Sequence, residues 1–328
     1  MDTGRNFRTE LQPDLLKGQI DYSTPIIAIG SCFAERMGER LQSLAFKVNI
    51  NPFGILYNPL SIAAGIEMLL SDGLIGEEDL QQGPEGLFHH WMFHGRFSAV
   101  DPKQAVELMN SSLESARKGL KESKTLLLTF GTSGLWSLRS DGSIVANCHK
   151  FPQSTFDHRL MESNEGFPVW NALIGRLINE TAIEQIHLTV SPVRYLQQGF
   201  SQNSLSKSRL IELAHQLSGA FECVEYFPAY ELMLDDLRDY RFFDKDMVHP
   251  SEQGIEYVWE KYANSAISNS AADTMKAVIE IKKAAMHRPI NPDSEAHLVF
   301  KQNVLNTIDL LEKAQPGLEL GDYRKVFE

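Results

Sequence analysis

Ser31 follows a short apolar run, residues 24–29, and Gly30, and it precedes a segment, 33–44, whose apolar residues recur at helical spacing. A serine on such a strand-to-helix turn is exposed at a sheet edge, with the first N–H groups of the helix beside it to receive developing negative charge. Its hydroxyl still needs a base to attack an ester at neutral pH. His249 is the candidate base, and Asp246, three residues earlier, is placed to orient the imidazole across a short loop. Ser31, Asp246 and His249 thus read as nucleophile, orienting carboxylate and general base. A serine at a helix start also reads as a plain N-cap. Cys32, the next residue, reads as a small buried hydrophobe or as a rival nucleophile.

Other polar side chains cluster without so definite a pattern. His89, His90 and His94 lie in a Gly-rich stretch with Trp91 and Phe93, and His90 and His94 have i,i+4 spacing. They lack a carboxylate partner set and an orienting outer shell, so no metal site is expected and a substrate-loop or packing role is. His149 sits beside Asn147 and Lys150, and Arg194 closes a Ser-Pro-Val-Arg segment. His94, His149 and Arg194 are the candidate substrate contacts, each reading equally as a surface or ion-pair residue.

These residues need a frame. Short apolar runs at 24–29, 46–50, 125–130, 186–190 and 221–227 alternate with helical patterns at 33–44, 59–70, 101–121, 169–179, 206–217 and 251–262. Alternation of this kind predicts a parallel sheet covered on both faces, with ligands beyond the carboxyl ends of the strands. Ser31, Gly54, residues 131–133 and Ser191 all follow such ends. Asp141-Gly142 predicts a hairpin joining 135–140 to 143–148. Residues 71–100 are irregular, as loops over sites often are.

The segments Gly30-Ser31-Cys32-Phe33-Ala34, Asn51-Pro52-Phe53-Gly54 through Pro59, Val145 through Lys150, Ser191 through Arg194, Tyr226 through Tyr230, and Asp239 through Ser251 resemble the GSCFA-domain family, which is grouped with the SGNH (GDSL-like) hydrolases. The resemblance spans about residues 20–262. It implies a flavodoxin-like three-layer α/β/α sandwich with a mainly parallel five-stranded sheet of the SGNH type. It also implies that Ser31 is the nucleophile and that Asp246 and His249 are the relay. In that superfamily a glycine after the second strand donates its N–H to the oxyanion, and Gly54 matches it. An asparagine of the third block donates an amide, and here that position is Ser133. Loss of one such donor typically costs about 10²–10³ in turnover, so Thr132, Ser133 or Asn147 is expected to replace it beside the N–H groups of Ser31 and Gly54. The familiar Gly-Asp-Ser of the first block becomes Ile-Gly-Ser or Gly-Ser-Cys according to alignment, which keeps Cys32 as a rival.

The whole chain fits this reading. Its 328 residues are 43% hydrophobic and carry a net charge of −12, which disfavours nucleic-acid and anionic-membrane partners. No apolar run has signal-peptide or membrane-spanning length. The three cysteines are few and far apart, which suits a reducing cytoplasm. Residues 1–264 are expected to form the hydrolase domain and 265–328 a helical C-terminal appendage, packed on the core or joining a homo-oligomer. The expected activity is hydrolysis of a carboxylic ester, such as O-deacetylation of a carbohydrate, without a cofactor. The competing readings are acyl transfer to a sugar hydroxyl and a non-catalytic scaffold that keeps the fold.

Overall fold

The computed structural model describes residues 8–328, so the first seven residues of the expected hydrolase domain lie outside it. Strand β1 (Ile26–Gly30) runs into helix α1 (Cys32–Gln42), followed by β2 (Val48–Ile50) and α2 (Pro59–Leu70). The irregular stretch contains a two-stranded ribbon, β3 (Gln81–Gln82) and β4 (Phe88–His89), before α3 (Pro102–Glu122) and β5 (Thr125–Phe130). Next come β6 (Gly134–Leu138), β7 (Ile144–Val145), β8 (Phe156–Leu160) and α4 (Gly166–Glu180). Then β9 (Gln185–Val190), α5 (Gly199–Ala220), β10 (Val224–Phe227), the helical turn α6 (Ala229–Glu231) and α7 (Glu252–Ala266) complete the layered part. Helices α8 (Asn269–Met286), α9 (Glu295–Ala314) and α10 (Gly321–Phe327) follow.

The central sheet has the order β10-β9-β5-β1-β2 and every pairing in it is parallel. The chain therefore reverses its direction of travel across the sheet between β2 and β5, and loops from β1 and β5 face each other at the carboxyl edge. Strands β1 and β5 are buried on both faces, as their nearly continuous apolar runs demand. Ile27 and Ile29 face one core with α2, α3, α4 and α5, while Ile26 and Ala28 face the other with α1 and α7. Each of these isoleucine side chains contributes roughly 1.5–3 kcal/mol by leaving water. The arrangement is a three-layer α/β/α sandwich with a helical C-terminal part.

The hairpin at Asp141-Gly142 is present but belongs to a larger unit. Strand β6 pairs antiparallel with β7 on one side and with β8 on the other. β8 is legible only weakly, because three of its five residues, Asp157, His158 and Arg159, are exposed. The C-terminal helices pack on the core: Val278, Ile281, Ile308 and Phe327 join Leu44 and Phe46 in the second cluster, and the Tyr323 hydroxyl donates to the Ser43 carbonyl at 2.6 Å. None of the described helices is long and apolar enough to cross a membrane.

Candidate active site

β1 and β5 approach so closely at their ends that a Cβ on Gly30 would stand 2.2 Å from the Thr129 carbonyl oxygen, and Gly30 adopts φ +145° there. Glycine is required by that approach. Ser31 then turns the chain in extended conformation (φ −69°, ψ 175°) and caps α1, its Oγ accepting from the Phe33 N–H at 3.3 Å. Its own N–H donates to Thr129 O at 3.2 Å, and the residue is 0% exposed. Among the described residues Ser31 Oγ makes no hydrogen bond to His249. Cys32, the first helical residue, is only half-buried and lines the hollows at this edge of the sheet.

His249 Nδ1 lies 2.7 Å from Asp246 Oδ2, and Asp246 Oδ1 accepts the N–H groups of Val248 at 2.9 Å and His249 at 3.0 Å. The bond to His249, with the two backbone donors, holds the Asp246 carboxyl down at about 2. A carboxylate on Nδ1 fixes the tautomer that leaves Nε2 unprotonated and available as a base. The loop closes on itself, with Asp244 N–H donating to His249 O at 2.8 Å and Met247 N–H to Asp244 O at 2.9 Å, and Met247 is left-handed at φ +57°.

Two cavities meet at this point. One of about 670 Å³ is lined by Tyr57, Trp136, Tyr195 and Asn203, and one of about 540 Å³ by Phe33, Glu35, Arg36 and Asp244. Cys32, Val193 and His249 line both. Burial pushes the Cys32 thiol above its ordinary range and Glu35 adds to this, while the Lys207 ammonium and the N–H groups of Cys32 and Phe33 pull it down. The resting sulfur is therefore a thiol that needs a base.

Lys207 is 1% exposed and donates to the carbonyls of Gly131 and Ser191, each at 2.6 Å, so it ties the ends of β5 and β9 together. Burial lowers its ammonium to about 7. No charged partner neutralises it among the described residues. It sits on the buried stripe of α5 with Asn203, Leu210, Ala214 and Leu217, and that periodicity was the signal for it. Tyr57, Trp136 and Tyr195, which also line the larger cavity, had no such signal.

The expected oxyanion donors scatter. Gly54 N–H is engaged by Asn51 O at 2.7 Å, and a Cβ on Gly54 would meet the His94 Cβ at 2.2 Å, so Gly54 is packed under His94 and away from both cavities. Ser133 is 0% exposed beneath the sheet edge, with its N–H on Ser206 Oγ at 2.8 Å. Thr132 lines the larger cavity, but its Oγ1 is held by Ser206 Oγ at 3.1 Å and by Gly134 N–H at 3.0 Å. Asn147 lies apart, its N–H on Trp91 O at 3.1 Å, and it lines neither cavity.

The expected substrate contacts each make structural contacts as well. His94 caps a short turn by accepting from Arg96 N–H at 3.3 Å. His149 stacks on His89 with centroids 4.3 Å apart and its Nε2 sits 3.0 Å from His90 O; burial lowers its imidazole to about 4. Both lie off the cavities. Arg194 touches the larger cavity but is 8% exposed, its guanidinium bonded to Met247 O and layered on Phe243 and Tyr240 at 4.2 and 5.0 Å. It braces the Asp246–His249 loop. Among the described residues no group of three or more His, Cys, Asp or Glu side chains is placed to hold a metal ion.

No curated protein matches this chain. The profile of the GSCFA family matches residues 25–262, and that of the GSCFA domain protein C-terminal domain matches residues 278–328. The chain belongs to the GSCFA family.

Proposed function

We propose that this protein is an acyl hydrolase of the SGNH type that cleaves carboxylic esters, with Cys32 as nucleophile in place of the expected Ser31. One observation carries the reading: Cys32 and His249 share the walls of both cavities, whereas Ser31 is fully buried with its hydroxyl engaged as a helix cap. In this register Gly30-Ser31-Cys32 stands where Gly-Asp-Ser is familiar.

His249 Nε2 takes the thiol proton as Cys32 Sγ bonds to the ester carbonyl carbon. Asp246 steadies the imidazolium that results. The tetrahedral intermediate expels the alcohol, which receives its proton from His249, and a thioester remains on Cys32. Water then attacks the thioester with His249 as base, releasing the carboxylic acid and restoring the thiol. A sugar hydroxyl in place of water makes the same steps an acyl transfer, and a second cavity that shares Cys32 and His249 supports that variant. The larger cavity, with Trp136, Tyr57, Tyr195 and the amides of Gln197, Gln202 and Asn203, suits a neutral polyhydroxylated substrate, so an O-acetylated carbohydrate is the substrate class we favour. A free thiol nucleophile, with Cys148 and Cys223 also free, suits a reducing cytoplasm.

The test is intact-mass analysis after brief exposure to p-nitrophenyl acetate. An acetyl adduct is expected on wild type and on Ser31→Ala, and on neither Cys32→Ala nor His249→Ala. An adduct that survives Cys32→Ala and disappears in Ser31→Ala returns the nucleophile to Ser31. No adduct on any form overturns the acyl-transfer reading.

A further inference from the structure

Resting on Cys32 as the acyl carrier, we infer that the Tyr195 hydroxyl is the side-chain donor to the oxyanion, taking the role that the third-block asparagine has elsewhere and that Ser133 does not fill. Tyr195 lines the larger cavity beside Cys32 and His249, yet its Oη is buried and has no hydrogen-bond partner among the described residues. A buried hydroxyl left unpaired is costly, and one on a residue that lines a cavity is explained when a ligand oxygen reaches it.

Its position is fixed by the same turn that positions the nucleophile. The Tyr195 oxygen and the Ser31 Cβ lie 2.8 and 3.1 Å from a single point, the place a Cβ would occupy on Gly131. Cys32 is the next residue, and its charge adds to the burial that raises the Tyr195 phenol. Three contacts hold the phenol there: Tyr195 N–H donates to Asn203 Oδ1 at 2.8 Å, Tyr57 packs edge-on at 5.5 Å, and Lys207 Nζ sits 5.1 Å from the ring centroid. Burial raises the phenol well above its ordinary range, so it remains protonated and serves only as a donor.

Ser133 Oγ and Asn147 Nδ2 are also buried without a partner among the described residues, but they lie off the cavities. The remaining candidate is occupied, Thr132 Oγ1 being held between Ser206 and Gly134. The backbone N–H of Cys32, at the start of α1, provides the second donor. When the thiolate adds to the carbonyl, the oxygen gains charge between that N–H and the phenol, and no proton leaves Tyr195.

Two reactions of one sulfur separate this role from a structural one. Acetylation by p-nitrophenyl acetate passes through an oxyanion, whereas alkylation by iodoacetamide displaces iodide directly and forms none. Tyr195→Phe is expected to slow acetylation of Cys32 by about 10²–10³-fold while leaving its alkylation rate unchanged. Its melting temperature should equal or exceed that of wild type, because the substitution removes an unpaired buried hydroxyl and keeps the ring. Equal acetylation rates in the two proteins overturn this inference alone. A parallel fall in acetylation and alkylation also overturns it, since that marks a displaced thiol. Absence of acetyl-Cys32 in wild type removes the reading on which the inference rests, and the inference with it.

Discussion

Replacing Arg194 with Met should loosen the Asp246–His249 loop while the sheet stays intact. The guanidinium makes one charged hydrogen bond, to Met247 O, and layers on Phe243 and Tyr240 at 4.2 and 5.0 Å. The bond contributes about 1.5–3 kcal/mol and each desolvated ring contact about 0.5–2 kcal/mol. Met keeps most of the apolar stem, and the change also removes the buried Arg194 Nε, which has no partner among the described residues and costs about 1–3 kcal/mol. The net loss is roughly 1–3 kcal/mol, and it falls on the loop, because the Met247 carbonyl loses its donor and the left-handed Met247 loses its brace. At about 1.4 kcal/mol per decade, amide protection over residues 244–249 should drop by roughly ten- to a hundredfold. Native-state hydrogen exchange measures this, with β5 and β9 as internal controls expected to stay unchanged. Arg194→Lys should not rescue the loop, since an ammonium lacks the planar fork that stacks and bonds together. Unchanged protection in Arg194→Met, accompanied by weaker binding of anionic esters, would refute the bracing argument and restore Arg194 as a substrate contact.

Two further perturbations probe the frame. Gly131→Ala places a Cβ 2.8 Å from Tyr195 Oη, 3.0 Å from Tyr57 O and 3.1 Å from Ser31 Cβ, so it should destabilise by about 1–3 kcal/mol in urea titration and depress Cys32 acetylation further than that loss implies; a variant with wild-type acetylation contradicts the packing. His187, 3% exposed between Tyr262 Oη and Gly18 O, is held down by burial at about 4. Its folded value lies below the ordinary 6.5, so the unfolded chain binds the extra proton in that interval. The stability it contributes is complete above pH 6.5 and falls by about 3 kcal/mol as pH drops to 4. Melting temperature against pH should therefore flatten in His187→Gln, and an unchanged slope would contradict this assignment.

What the sequence made legible follows from how local the determinants are. Residues 125–130 read as a buried strand because a parallel strand covered on both faces is a near-continuous apolar run, interrupted here by Thr125 and Thr129, and all six are buried. Asp246 and His249 were legible as a pair because three residues of one loop bring them together without help from the rest of the fold. The choice between Ser31 and Cys32 was a different problem. At a strand-to-helix junction a shift of one residue exchanges the inward and outward side chains, and composition does not record that phase. Gly54, His94, Asn147 and His149 fall in segments that resemble site loops, but they pack against one another's neighbours through contacts distant in sequence, such as Ala146 and Asn147 on Trp91 O. Burial of Lys207 was readable from its place on the α5 stripe, whereas its partners, Gly131 and Ser191, come from the turns after β5 and β9.

Cys32 and Ser133 become one adjustment if the thiol carries the acyl group. Carbon bonds to sulfur at greater length than to oxygen, so the oxyanion of a thiol adduct stands further from the turn than that of a serine adduct. A donor on the short β5 loop is then poorly placed, and Ser133 has withdrawn beneath the sheet edge, where its N–H holds Ser206. The β9 loop reaches the same space from the other side with a longer side chain, and Lys207 fixes the two loops to each other by bonding Gly131 O and Ser191 O at once. The charge of Lys207 also favours the ionised form of Cys32. The Tyr195 hydroxyl and Ser31, the residue before Cys32, thus share a single clearance, the missing side chain of Gly131.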